Sequence, residues 1–246
     1  MKYSKVGISG FSAYFPPYRV RLEDWCNWTG SNWDKINSVV GKSFRMKGPN
    51  QSIYTLAASA VIKLIDQYEI DPSRITFLGL GTESSTDNSA GAIIIKGMID
   101  KALIQRGLEP INRNCEVPEI KHACLGGIYS LKNALRYLTL DKSNSCAIVV
   151  SADIAEYARG SSGEATQGAG AVAMLLEKNP KILEINLSEI GTASSYREID
   201  FRKPVLRNII RGNLNCHFQD LPVFNGKYTN ACYLDETTHA LKDMMK

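Results

Sequence analysis

One thiol, one carboxylate and one glycine-rich loop stand out as the groups in this sequence that could do chemistry. The thiol lies in Glu119-Ile-Lys-His-Ala-Cys124-Leu-Gly-Gly127, followed by Ile128, Leu131, Leu135 and Leu138. That spacing predicts a strand running into a tight turn, with Cys124 where a helix begins. Unpaired N–H groups and the helix dipole stabilise a thiolate at such a point. The Cys124 N–H could also hold a thioester oxygen as negative charge develops on it. Gly126 and Gly127 lack Cβ atoms and let a ligand approach the backbone. The same pattern suits a buried cysteine packed between strand and helix, and this segment alone leaves both readings open.

The carboxylate lies in Gly81-Thr-Glu83-Ser-Ser-Thr-Asp87, just after a predicted strand. Glu83 could serve as a general acid or base if partly buried. Alternatively, the segment is a capping turn with Ser85 or Thr86 as cap and Asp87 in the first helical turn. Gly160-Ser-Ser-Gly-Glu-Ala-Thr166-Gln-Gly-Ala-Gly-Ala171 runs into another strand, where Thr166 could hydrogen-bond a ligand; a plain surface loop fits equally. It lacks the Gly-Lys-Ser/Thr ending of a P-loop and the strand-to-helix setting of a dinucleotide fingerprint. The histidines, His122, His217 and His239, offer no convincing partner for Cys124.

Alternating strand-like and helix-like patterns position these groups and predict an α/β layered fold. Strands are expected at Val6–Tyr14, Ile75–Gly81, Ser145–Ser151, Gly170–Glu177 and Ile182–Ile190, with another approaching Ala123. Apolar residues from Leu56 to Tyr68 recur at helical spacing and stop near Asp71-Pro72. Further helices are expected at about 88–105, from the cysteine turn to about Leu138, and over Tyr233–Met245, with 197–225 mostly loop. A formal charge of +4 without a basic run gives no sign of nucleic-acid binding. No apolar stretch reaches the roughly 18–20 residues of a membrane span, and the start lacks a signal peptide's apolar core. A cytoplasmic protein is expected. Its six cysteines (26, 115, 124, 146, 216 and 232) have no zinc-ligand spacing and are expected to be mostly buried, reduced thiols, with no metal site.

Taken in order, several segments resemble hydroxymethylglutaryl-CoA synthase of the thiolase superfamily. They are Gly81-Thr-Glu-Ser-Ser-Thr-Asp87, Ala123-Cys-Leu-Gly-Gly127, Ser151-Ala-Asp-Ile-Ala-Glu-Tyr157 and Gly163-Glu-Ala-Thr-Gln-Gly-Ala-Gly-Ala-Val-Ala173. Weaker support comes from Phe11 to Pro16, Asp200 to Pro204, Pro222 to Gly226 and Ala231 to Leu234. The resemblance implies a thiolase-like αβαβα layered fold, with residues 1–178 as a complete first half and 179–246 as the opening of a truncated second half.

By that resemblance Cys124 takes an acetyl group from acetyl-CoA, and Glu83 helps remove a methyl proton. The enolate then attacks acetoacetyl-CoA or a related β-keto thioester, a step of the mevalonate route to isoprenoids. Thr166, Ser162 and Thr229 match substrate-side positions. Coenzyme A thioesters are substrates, and no cofactor is implied. The family's catalytic histidine and a glycine-serine turn follow beyond the end of this chain. His122, Ala165 and Asn225 replace an acid, a proline and an aspartate usual in relatives, and Leu206 to Asp220 is longer than the common pattern. The expectation is a homo- or hetero-oligomer, with a separate C-terminal-half chain or a thiolase as partner, or else the sequence is a fragment of a longer one that carries the second half itself. Alternatives are another ketoacyl synthase or acyltransferase of the superfamily, and a non-catalytic assembly partner.

Overall fold

The computed structural model describes residues 5–141, 143–161, 163–197 and 226–246. In chain order its elements are β1 (Val6–Tyr14), β2 (Tyr18–Arg21), α1 (Leu22–Thr29), α2 (Trp33–Val39), β3 (Ser43–Met46) and α3 (Ile53–Tyr68). There follow β4 (Ile75–Gly81), α4 (Gly91–Gln105), β5 (Glu119–Ile120), α5 (Gly126–Leu140), β6 (Cys146–Ala155), β7 (Gly168–Lys178), β8 (Leu183–Glu184) and α6 (Gly226–Met244). The chain divides into two compact units. The first comprises 1–155 and 168–187, and the second 156–167 and 188–246.

In the first unit a six-stranded sheet has the order β5-β4-β6-β7-β1-β8. β4 pairs in parallel with β5 and β6, whereas β6–β7, β7–β1 and β1–β8 are antiparallel. Side chains of β6 alternate between two cores, as the period of two requires. Ile148 and Val150 pack with Leu56, Ala60, Val61 and Leu64 of α3, while Ala147 and Val149 pack with Ala134, Leu135 and Leu138 of α5. Helix α3 starts in a capping box of Ser52 and Thr55 and buries the apolar face that its spacing predicts.

Strand β4 tapers toward the site. On its α5 side Phe77 fills space, but a Cβ at Gly79 would meet Ser130 Oγ at 2.2 Å and one at Gly81 would meet the Gly127 nitrogen at 2.2 Å. The missing side chains let the start of α5 close onto the end of β4, backbone against backbone.

Most expected elements match within a few residues. The strand expected over Ile182–Ile190 shrinks to Leu183–Glu184, because only this stretch pairs with Gly7 and Ile8 at the sheet edge. The terminal helix starts at Gly226, earlier than its apolar pattern suggests. The loop expected over 197–225 lies, from residue 198 on, outside the described residues, as do Cys216 and His217.

Cys26, Cys115, Cys146 and Cys232 are buried free thiols, and Cys124 is exposed. Burial pushes the Cys115 and Cys146 thiols up from 9.0 to about 12. The folded chain therefore keeps two protons that the unfolded chain releases near pH 9. Their stabilising effect is complete below that pH and is lost as pH rises toward about 12, at ~1.4 kcal/mol per unit for each thiol. Urea unfolding across this range should show a falling midpoint, and a Cys115→Ala, Cys146→Ala double variant should flatten the fall.

Candidate active site

Glu83 and Cys124 follow the ends of the neighbouring strands β4 and β5, and the register Leu80↔Glu119 and Gly81↔Ile120 brings those ends level. The exposed Cys124 Sγ donates to Glu83 Oε2 at 3.8 Å, and Glu83 is half-buried. Of the groups singled out by sequence, these two are brought together.

The turn that carries Cys124 differs from the simple helix start expected for it. Ala123 has φ +41°, a left-handed conformation that costs a non-glycine residue energy. The Leu125 N–H donates to the His122 carbonyl at 2.9 Å and the Gly126 N–H to the Ala123 carbonyl at 3.2 Å. Helix α5 therefore begins at Gly126, and Cys124 precedes its cap residue Leu125 on an exposed turn. A buried packing role for this cysteine is excluded by its exposure.

Glu83 is fixed from the other side of β4. The parallel register Gly81↔Ser151 carries Asp153 level with the loop after Gly81. Its Oδ1 accepts from Thr82 Oγ1 at 3.0 Å, the Glu83 N–H at 2.8 Å, the Ser84 N–H at 3.1 Å and Ser84 Oγ at 2.7 Å. Ser84 Oγ in turn accepts from the Ile154 N–H at 2.9 Å. Hydrogen bonds to a charged acceptor are among the stronger ones, so the Glu83 backbone has little freedom.

At the far end of the loop Ser89 has φ +63° and Asp87 accepts from the Ala90 N–H, which delays α4 to Gly91. Asp87 also accepts from the Tyr54 hydroxyl. That bond is the leading cause holding its carboxyl below the usual range. The capping reading does not hold as expected: Asp87 precedes the cap residue Ala90 rather than lying in the first helical turn, and neither Ser85 nor Thr86 is the cap, although Asp87 does accept from the Ala90 N–H. Sequence reasoning gave no role to Asp153 or Glu119. Their partners sit on other strands, and only the strand register could have pointed to them.

The remaining candidates belong to other elements. Thr166 belongs to the second unit and donates its hydroxyl to the Gly163 carbonyl at 2.7 Å, closing the 3-10 turn Glu164–Thr166. In the same loop Glu164 accepts from the Gly160 N–H at 2.7 Å. Thr229 is half-buried on α6, also in the second unit. Ser162 is outside the described residues. His122 is exposed, with its ring edge-on to Tyr129 at 4.9 Å. His239 is exposed on α6, where its Nδ1 pairs with the Asp235 carbonyl at 2.9 Å. Among the described residues no cluster of His, Cys, Asp and Glu could hold a metal ion. Among them too, no helix is long and apolar enough to cross a membrane.

Residues 2–181 match the family described as hydroxymethylglutaryl-coenzyme A synthase N terminal. The chain belongs to the hydroxymethylglutaryl-CoA synthase family. It is similar to hydroxymethylglutaryl-CoA synthase A of Dictyostelium discoideum, at 31% identity over 98% of this chain and 51% of that protein. It is 33% identical to the Enterococcus faecalis hydroxymethylglutaryl-CoA synthase over 81% of this chain and 49% of that one. Among solved structures it resembles MvaS in complex with 3-hydroxy-3-methylglutaryl coenzyme A, with a TM-score of 0.84 and 30% identity over 99% of this chain and 53% of that one. The thiolase-like fold expected of the family is therefore the fold of this chain. The chain spans about half the length of the curated synthases it matches.

Proposed function

We propose that the chain is the nucleophile-bearing part of a hydroxymethylglutaryl-CoA synthase-type condensing enzyme, acting with a complementary C-terminal half. The observation that carries this reading is the exposed Cys124 thiol, 3.8 Å from the Glu83 carboxylate, at the level ends of two parallel strands. Cys124 Sγ attacks the carbonyl of acetyl-CoA, forming acetyl-Cys124 and releasing coenzyme A. The acetyl methyl carbon is then two bonds from Sγ, within the region Glu83 Oε2 can reach.

Glu83 takes a methyl proton, and the enolate carbon attacks the ketone of acetoacetyl-CoA or a related β-keto thioester. The new alkoxide takes up a proton, and water hydrolyses the enzyme thioester to release hydroxymethylglutaryl-CoA and regenerate the thiol. Covalent capture divides one hard condensation into easier steps. A base with the reacting group within reach contributes about 10²–10⁴-fold.

Thr166, Ser162 and Thr229 are assigned to the substrate side, with 1–178 as the first thiolase-like half and 179–246 as the opening of the second. The complementary half supplies the catalytic histidine and the second oxyanion donor, in a cytoplasmic homo- or hetero-oligomer. Relatedness to synthases twice as long supports this division.

The test combines the chain with acetyl-CoA and acetoacetyl-CoA, with and without the complementary polypeptide, and follows hydroxymethylglutaryl-CoA by mass spectrometry. Product is expected only when both halves are present. Absence of product from the reconstituted pair would contradict the reading.

A further inference from the structure

Glu119 lies on β5, five residues before Cys124, and its side chain is 0% exposed. Both carboxylate oxygens are engaged. Oε1 accepts from Ser85 Oγ at 2.7 Å, two residues beyond Glu83, and Oε2 accepts from the Gly91 N–H at 2.5 Å, where α4 begins. Lys121 Nζ stands 3.7 Å from Oε1 and also donates to the Asp87 carbonyl. The cap residue of α4, Ala90, has no side chain able to cap, so the carboxylate from a neighbouring strand does it. Gly91 makes this possible, since a Cβ there would come within 2.7 Å of Oε2.

A serine or aspartate at position 90 could cap the helix locally without burying a charge. What Glu119 adds is Ser85. One buried carboxylate on the strand that leads to the nucleophile grips the loop that presents the base. Asp153 holds the same loop from the opposite side through residues 82–84. Glu83 is thus spanned by two carboxylates on the two strands that flank β4.

We infer that Glu119 is a positioning residue, which sets the Glu83 carboxylate against the acyl group on Cys124 through Ser85. This rests on the reading of Glu83 as the base. Removing Glu119 should displace Glu83 while leaving the thiol free to react. A shift of about 1 Å at such a group costs roughly 10²-fold.

The experiment acetylates Cys124 in the full chain, combined with its complementary polypeptide, with acetyl-CoA, transfers the complex to D2O, and follows deuterium entry into the acetyl group by peptide mass spectrometry. Glu119→Ala should slow deuterium entry by about 10- to 100-fold, with acetylation of Cys124 within about threefold of wild type. Glu119→Gln, whose amide can accept from the Gly91 N–H and donate to Ser85 Oγ, should restore most of the exchange. Ser85→Ala leaves the helix cap intact and should still slow exchange, which a purely structural Glu119 would not require. This variant also serves if Glu119→Ala fails to fold.

Exchange at the wild-type rate in Ser85→Ala would overturn the inference, as would parallel loss of acetylation and exchange in a Glu119→Ala protein that keeps the wild-type unfolding midpoint. Glu83→Gln is the control. If it exchanges like wild type, or if the wild type takes no acetyl group, the reading of the site itself fails and the inference falls with it.

Discussion

Glu83→Gln in the reconstituted enzyme is expected to cut condensation by about 100-fold or more while leaving acetylation of Cys124 within about threefold of wild type. The two steps ask different things of this residue. Attack by the thiol on a thioester needs a sulfur that can shed its proton, and an exposed turn allows solvent to take it. Removing a proton from an acetyl methyl needs a base held against a carbon, the role proposed for Glu83. Glutamine keeps an oxygen in reach of Sγ but cannot take the proton. The substitution should also leave the loop in place, since Asp153 holds position 83 by its backbone N–H at 2.8 Å. Single-turnover measurement of acetyl-Cys124 formation and decay separates the steps. Unchanged condensation would remove Glu83 from the mechanism.

Gly81→Ala should destabilise the chain by about 3 kcal/mol or more, the largest effect expected of so small a change. The new Cβ would stand 2.2 Å from the Gly127 nitrogen and 2.4 Å from both Gly126 C and Gly127 Cα, all of them backbone atoms that cannot rotate away. Relief requires β4 and α5 to separate, which moves Glu83 and Cys124 apart. Gly127→Ala should cost less, because the atom met at 2.1 Å is Ser151 Oγ, which can change rotamer. Gly97→Ala on the exposed side of α4 meets nothing within 4 Å and should stabilise the helix by roughly 0.5–1 kcal/mol. Urea unfolding of the three variants orders them. Equal midpoints for Gly81→Ala and wild type would show that the two elements do not need this close approach.

The contrast among these glycines shows what the sequence displays and what it hides. Local period marked out β1, α3, β4, β6 and β7, because each buries a face whose pattern repeats along its own length. The segment from Tyr18 to Met46 escaped notice: α2 buries no residue and β2 is nowhere fully buried, so neither carries a strong pattern. The pairing of Cys124 with Glu83 was legible through motifs at strand ends. The roles of Asp153 and Glu119 were not, since each depends on which strands lie side by side and in what register, a property of the whole sheet. Ala123 likewise gives no sign in its residue type that it will take a left-handed backbone at the turn before Cys124.

The site's central claim is that Cys124 accepts an acyl group. Incubating the full chain and its complementary polypeptide with acetyl-CoA, then locating the adduct by peptide mass spectrometry, tests it most directly. The expected result is one acetyl group on the peptide containing Cys124, absent from Cys124→Ser, with Cys115 and Cys146 unmodified because burial holds both thiols protonated. No adduct on Cys124 with both halves present, or an adduct that persists in Cys124→Ser, would contradict the account.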